Sequence, residues 1–168
     1  LHRVDSTWPD LSDEALTNTL EHWLGPFVTG HTSLAQLRRV DLQAPLDSLL
    51  TWQQRQELSR LAPTHITVPS GSHVRVDYEQ GDSPVLAVRL QEMFGCQDTP
   101  RIAGGRVPVM VHLLSPASRP VQVTKDLASF WRSAYQEVKK ELRGRYPRHH
   151  WPDDPLSARP TNRTKRRT

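Results

Sequence analysis

The 168-residue sequence has only one cysteine. It also lacks the long apolar runs of membrane and secreted proteins and the phosphate-binding loop of nucleotide-hydrolysing enzymes. Because Cys96 has no second cysteine to pair with, an internal disulfide is excluded, which favours a reducing, cytoplasmic location. No apolar signal segment or membrane-spanning run occurs, so a soluble intracellular protein without membrane contact is expected. None of the eight glycines is followed by lysine and Asp-Glu-x-His is absent, which excludes a nucleotide motor from this chain.

Catalytic and metal-binding motifs are missing as well. No Gly-x-Ser-x-Gly elbow occurs, and no serine stands in a pattern that pairs it with a base. The candidate metal ligands lack the Cys-x-x-Cys or His-x-x-x-His spacing of zinc sites, and adjacent histidines in an irregular segment point apart. We therefore predict no catalytic residues, no metal site and no cofactor in this chain; the rejected ligand set is His149, His150, Asp153, Asp154 and Cys96.

Positive charge is concentrated towards the C-terminus. The formal net charge is +4, yet residues 132–168 carry eleven basic and four acidic residues, whereas residues 1–131 carry eleven and fourteen. This asymmetry is the electrostatic pattern of a module that lies near nucleic acid, although a solubilising basic tail gives the same counts.

Short amphipathic helices are predicted for the first third of the chain. Ser12 suits a helix N-cap, Gly25-Pro26 stops a helix, and Thr51 with Gln54 forms a capping box for another helix that Pro63 ends. The leucines and tryptophans of these helices need partners, which favours a small core over a ligand pocket. Residues 1–63 are predicted to form a helical subdomain.

A period of two follows, which predicts strands. Val74, Val76 and Tyr78 alternate with charged residues, and Gly104-Gly105 marks a tight turn. For residues 85–94 both strand and helix fit the pattern; we favour a strand over 85–89 followed by one helical turn. Residues 64–151 are predicted to form an antiparallel, barrel-like β-sheet packed against one long helix, so the fold class is α+β.

That long helix, at about 126–143, has one apolar arc and one cationic side. Asp126 or Thr124 can cap its start, and Gly144 can close its end in a left-handed conformation. Residues 152–168, rich in proline and basic residues, are predicted to form an extended or disordered tail. The apolar arc comprises Leu127, Phe130, Trp131, Ala134, Tyr135, Val138 and Leu142, and the cationic side comprises Arg132, Lys139, Lys140 and Arg143.

The cationic side and the segment after the helix form the candidate nucleic-acid site. Phosphates require several cations along a line, and single-stranded bases stack on aromatic rings. The alternative is a solvated helix face whose neighbouring aromatic residues clamp the tail onto the domain. The predicted nucleic-acid-binding residues are Arg132, Lys139, Lys140, Arg143, Arg145, Tyr146 and Arg148.

Four segments carry a resemblance to a known family: HITVPSGSHVRVDYEQ, VRLQEMFG, LLSPASRP and TKDLASFWRSAYQEVKKELRGRYPRHHWPDDP. Together they resemble the C-terminal domain of the HrpB class of bacterial DEAH-box ATP-dependent helicases, with the clearest match over residues 61–155. The chain does not begin with methionine, which is consistent with a segment of a longer protein.

The resemblance implies an auxiliary C-terminal region of an ATP-dependent RNA helicase. Such a region would be non-catalytic alone, would dock on the motor domains and would contact single-stranded RNA or another nucleic acid. ATP and magnesium would belong to the motor domains of the parent, which hydrolyse the nucleotide. The competing hypothesis is a protein–protein interaction module that recruits a partner to the helicase.

Overall fold

The computed structural model describes residues 1–162 and divides the chain into two compact units. The first, here called the helical unit, runs from Leu1 to Ala62, and the second, here called the sheet unit, begins at Pro63. Residues 163–168, the end of the predicted basic tail, lie outside the described residues. The three-part division predicted from the sequence stays a prediction.

Six short helices form the helical unit around a small apolar core. The core contains Trp8, Leu50 and Leu61, with Leu1 packed against it. Thr51 starts the longest helix with the predicted capping box, because its hydroxyl accepts from the Gln54 amide while the Gln54 side chain accepts from the Thr51 amide. The helices are α1 (Asp13–Asn18), α2 (Leu20–Trp23), α3 (Gly25–Val28), α4 (Leu34–Leu37), α5 (Gln43–Ser48) and α6 (Trp52–Leu61).

Seven strands form two sheets in the described part of the sheet unit. A five-stranded sheet has the order β1-β2-β3-β6-β7, and β4 pairs with β5 in a separate hairpin. The strands are β1 (His65–Thr67), β2 (His73–Asp77), β3 (Val85–Arg89), β4 (Arg101–Ile102), β5 (Val107–Pro108), β6 (Met110–Leu114) and β7 (Pro120–Thr124). The preferred assignment of residues 85–94 is confirmed, because a 3₁₀ turn over Leu90–Met93 follows β3.

The α+β class is confirmed, but the antiparallel, barrel-like sheet is wrong. Strands β3 and β6 are parallel, with Val85 opposite Met110 and Arg89 opposite Leu114. The chain passes through the 3₁₀ turn and the β4–β5 hairpin between them, which lets β6 return in the direction of β3. Among the described residues the sheet stays open, with β1 at one edge and β7 at the other.

The single long helix is also wrong, since two helices occupy this region. Helix α7 spans Leu127–Ser133 and α8 spans Tyr135–Arg145, separated by Ala134, whose φ is −106°. The Ser133 hydroxyl donates to the Ser129 carbonyl at 2.8 Å, a contact that bends helices. The predicted N-cap is confirmed, because the Asp126 carboxylate accepts from the Ser129 amide.

The end of α8 differs from the prediction. Gly144 lies inside the helix and does not adopt a left-handed conformation. The chain leaves the helix at Tyr146 instead, with φ −128° and ψ 61°. The predicted apolar arc is confirmed by burial: five of its members are buried and Ala134 and Val138 are half-buried, whereas most of the predicted cationic side is exposed.

Candidate nucleic-acid interface

An aromatic cluster fixes which side of α7 and α8 faces the core. Phe130 and Trp131 lie 4.9 Å apart between ring centroids, and Tyr135 meets Trp131 edge-on at 5.5 Å. Phe94, which follows the 3₁₀ turn, contacts both Trp131 and Tyr135 at 6.2 Å. The Trp131 indole donates to the Cys96 carbonyl at 2.7 Å. These contacts lock both helices against the core, so their other side faces outward.

Five of the predicted nucleic-acid-binding residues are exposed. Lys140 and Arg143 stand three residues apart on α8 and are therefore neighbours on its surface. Arg145 forms a surface ion pair with Glu141 at 3.5 Å, a contact that contributes little in water. The exposed cations, here called the cationic surface, are Arg132, Lys140, Arg143, Arg145 and Arg148.

Lys139 does not belong to this surface, so its predicted place on the exposed cationic side is wrong. Its side chain borders the apolar arc beside Tyr135 and Leu142, and the residue is only 7% exposed. Its ammonium group bonds the Asp153 carboxylate, a hydrogen-bonded ion pair that holds the pKa of Asp153 below its usual range. Asp153 also lowers the positive potential next to Arg143, whose charge acts on the same carboxylate.

Asp153 reaches Lys139 because the chain folds back after α8. The Tyr135 hydroxyl donates to the Pro152 carbonyl at 2.8 Å, and the Gln136 side chain donates to the Asp153 carbonyl at 2.9 Å. Further on, the Gly95 amide donates to the Pro155 carbonyl at 3.0 Å. We call residues 146–162 the return segment; it has no helix or strand, yet its backbone is bonded to the core of the unit at several points.

The aromatic residues at the start of the return segment contact one another. The Trp151 indole donates to the Tyr146 carbonyl at 2.9 Å, and His149 meets the Tyr146 ring edge-on at 6.1 Å. His149 also bonds the Gln91 side chain at 3.2 Å, and burial, followed by the charge of Arg89, lowers its pKa. Tyr146 is half-buried, which favours a clamping role for these rings over base stacking.

Gln91 was not singled out from the sequence, although it is central to this clamp. The residue is buried, and its side-chain amide donates to the His150 carbonyl at 3.0 Å. The main-chain carbonyl of Gln91 accepts a hydrogen bond from the Thr161 main-chain amide at 3.0 Å. Its partners lie about sixty and seventy residues away in the chain. The neighbouring residues Leu90–Met93 give no indication of such distant contacts.

The rejected metal ligands do not form a cluster among the described residues. Within residues 1–162 no three His, Cys, Asp or Glu side chains come together in a way that could hold a metal ion. The Cys96 thiol donates to the Asp98 carbonyl at 3.3 Å, and burial, with the nearby charge of Asp98, raises its pKa. In the same part of the chain, no helix is long and apolar enough to cross a membrane.

Comparison with known proteins places residues 23–155 in a family described as ATP-dependent helicase C-terminal, HrpB_C. The chain is 51% identical over 159 residues to the ATP-dependent RNA helicase HrpB of Escherichia coli strain K12, covering 95% of this chain and 20% of that protein. It therefore spans about one fifth of the length of this relative.

Two crystal structures of E. coli proteins share the fold. One, described as the DExH-box NTPase HrpB, matches with a TM-score of 0.83 and 51% identity over 94% of this chain and 19% of that chain. The other, described as the DEAH/RHA helicase HrpB, matches with a TM-score of 0.69 and 45% identity over 89% of this chain and 19% of that chain.

Proposed function

Because the chain belongs to the C-terminal family of HrpB ATP-dependent helicases, we propose that it is an accessory region that helps its parent helicase to hold RNA. The parent would hydrolyse ATP with magnesium in its motor domains and move along single-stranded RNA. This region would dock on the motor domains, carry out no chemistry itself and contribute phosphate contacts. Such contacts position a strand without reading its sequence.

The cationic surface is the observation that carries this proposal. Its five members are exposed: Arg132 lies on α7, Lys140, Arg143 and Arg145 lie on α8, and Arg148 lies in the turn after α8. Among the described residues no ion pair occupies Lys140, Arg132 or Arg148, so their charges are available to phosphates. Lys139 is left out, because phosphate binding there would compete with Asp153.

The test uses the full-length helicase with Lys140, Arg143 and Arg148 changed together to glutamine. Glutamine keeps the helix propensity at positions 140 and 143 and removes the charge at all three positions. Each phosphate contact on a single strand contributes about 0.7 to the slope of log affinity against log salt concentration, so the slope should become shallower by about 2. The measurement is a fluorescence titration with short single-stranded RNA at several salt concentrations.

The matched control removes three exposed charges from the helical unit, at Arg38, Arg39 and Arg55. This control variant has the same net charge as the test variant. Its salt slope should stay within about 0.35 of the native slope, which is half the contribution of one phosphate contact. If both variants lower the slope equally, only net charge matters and the cationic surface has no special role. If neither changes it, the RNA-holding role is wrong.

A protein-interaction role is the second candidate, and exposed apolar residues of the helical unit favour it. Leu34 is 74% exposed and Trp52 is 71% exposed, so their burial against a partner would contribute favourable free energy. Changing both residues to serine in the full-length helicase should abolish co-purification of that partner and leave the salt dependence of RNA binding intact. Co-purification that survives the double change rules out this surface.

A further inference from the structure

The two faces of the five-stranded sheet differ in what covers them. Leu86 and Val111 are opposite each other in β3 and β6 and are both fully buried, so they mark the inner face. Because side chains alternate along a strand, the residues next to them point outward. We call the outward residues of β3, β6 and β7 the outer apolar face: Val85, Ala87, Met110, Leu114 and Val123, with Arg89 and His112 among them.

The outer apolar face is partly open to solvent. Val123 on the edge strand is 46% exposed and Ala87 is exposed, whereas Val85 is buried and the remaining members are half-buried. A shallow cleft is lined by Val85, Met110, His112 and Val123 of this face, together with Lys125 and the turn residues 80–83. In contrast, the outward positions of β1 and β2 are polar, including Thr67 and Arg75.

Strands of this composition are typical of sheets that are covered on both faces. An antiparallel sheet with one solvated face alternates apolar and polar residues, whereas parallel strands are buried on both sides and read as continuous apolar runs. The parallel pair β3 and β6, VLAVR beside MVHLL, has this second pattern apart from Arg89 and His112. The polar outward side of β1 and β2 shows that the pattern is confined to half of the sheet.

We infer that the outer apolar face is the surface on which this region docks against the rest of the same helicase polypeptide. The inference rests on the proposed function and specifies its docking surface. The chain spans about one fifth of its relatives, so most of the parent is available as a covering surface. A tethered partner acts at an effective concentration of order millimolar, which allows a modest apolar face to dock stably.

RNA and a second copy fit this face less well. Proteins that bind RNA on a sheet stack its bases on aromatic rings, and the outer apolar face has no Phe, Tyr or Trp. A second copy would lack the advantage of the tether and would have to associate at its free concentration. The partner surface is therefore predominantly apolar and belongs to the same polypeptide.

The test uses the full-length helicase with a cysteine placed at Val123 or, as the matched control, at Thr67. Both positions are exposed, outward-facing and on edge strands, but at opposite ends of the sheet. Maleimide labelling of each cysteine is followed by mass spectrometry. The Val123→Cys variant should react at least about tenfold more slowly than Thr67→Cys, since a docking free energy of about 1.4 kcal/mol already gives that factor.

A photo-cross-linking amino acid at position 123 then identifies what covers the face. Cross-links to residues of the same polypeptide outside this C-terminal region support the inference; mixed heavy and light isotope-labelled protein separates these from cross-links between copies. Cross-links to RNA, to a second copy or to residues 1–62 overturn it, as does equal labelling at both positions. If Thr67→Cys is the protected variant, the region docks through the polar half.

These outcomes are independent of the salt dependence of RNA binding, so a failure here is distinguishable from a failure of the RNA-holding role.

Discussion

The Tyr135 hydroxyl shows how one residue attaches the return segment to the core. Tyr135 is fully buried and donates to the Pro152 carbonyl at 2.8 Å; burial, with a smaller contribution from Asp153 and Asp154, raises its pKa. Tyr135→Phe removes this bond and should lower the free energy of unfolding by about 1 kcal/mol in urea titrations.

Tyr78 provides a matched control for this substitution. Its hydroxyl also donates to a proline carbonyl, that of Pro63, at 2.8 Å, but the residue is 44% exposed. Water can replace the lost partner there, so Tyr78→Phe should cost less than about 0.5 kcal/mol. Equal losses in the two variants would contradict the claim that burial makes the Tyr135 contact important.

The ion pair of Lys139 with Asp153 predicts a pH dependence. Lys139 lowers the pKa of Asp153 in the folded chain, so the pair stabilises the fold above the unfolded value of 3.8 and loses its effect as the pH falls through the lowered value. Asp153→Asn should therefore unfold at less urea than the native chain at neutral pH, and the difference should vanish well below pH 3.8.

A second background separates this pair from other effects of Asp153. Lys139→Met keeps the buried stem and removes the charge. In that background Asp153→Asn should change the urea midpoint at neutral pH much less, because only the weaker effect of the Arg143 charge on this carboxylate is left. The same loss in both backgrounds would show that the two side chains are not coupled.

At the scale of elements, Gly144 weakens α8 without a structural need. It lies inside the helix with an ordinary backbone conformation, and beyond its chain neighbours and the backbone of its own helix no atom lies within 4 Å of an added Cβ. Gly144→Ala should raise the free energy of unfolding by about 0.5–1 kcal/mol.

Gly71, at φ +84° and also in open space, isolates the backbone effect: Gly71→Ala should destabilise by about 1 kcal/mol. Stabilisation by both changes would contradict the assigned conformations.

Local elements could be predicted from the sequence where their causes are local. The capping box of Thr51, the cap at Asp126 and the alternation in β2 depend on residues within a few positions, and all are present. The break at Ala134 and the helical place of Gly144 were missed. The break is associated with the hydrogen bond from the Ser133 hydroxyl to the Ser129 carbonyl, and Gly144 is helical because α8 continues two residues beyond the predicted end. Both effects involve small free energies that a periodic pattern does not resolve.

At the scale of the whole molecule, the misses come from contacts between distant residues. The parallel pairing of β3 with β6 follows from how the chain crosses through residues 90–109, and apolar strands of either direction look alike in sequence. The burial of Lys139 depends on Asp153, fourteen residues away in a segment that has no regular structure. The candidate site was proposed from charge and periodicity and stays a prediction, whereas the burial of one of its cations could not be foreseen from those patterns.

The most direct test of the RNA-holding role is to compare the full-length helicase with a variant that lacks this C-terminal region. Affinity for single-stranded RNA and its salt dependence are measured alongside ATP hydrolysis without RNA. We predict weaker binding, a salt slope shallower by at least about 2, and an unchanged RNA-independent rate. RNA affinity and a salt slope that remain the same after the removal would contradict the account.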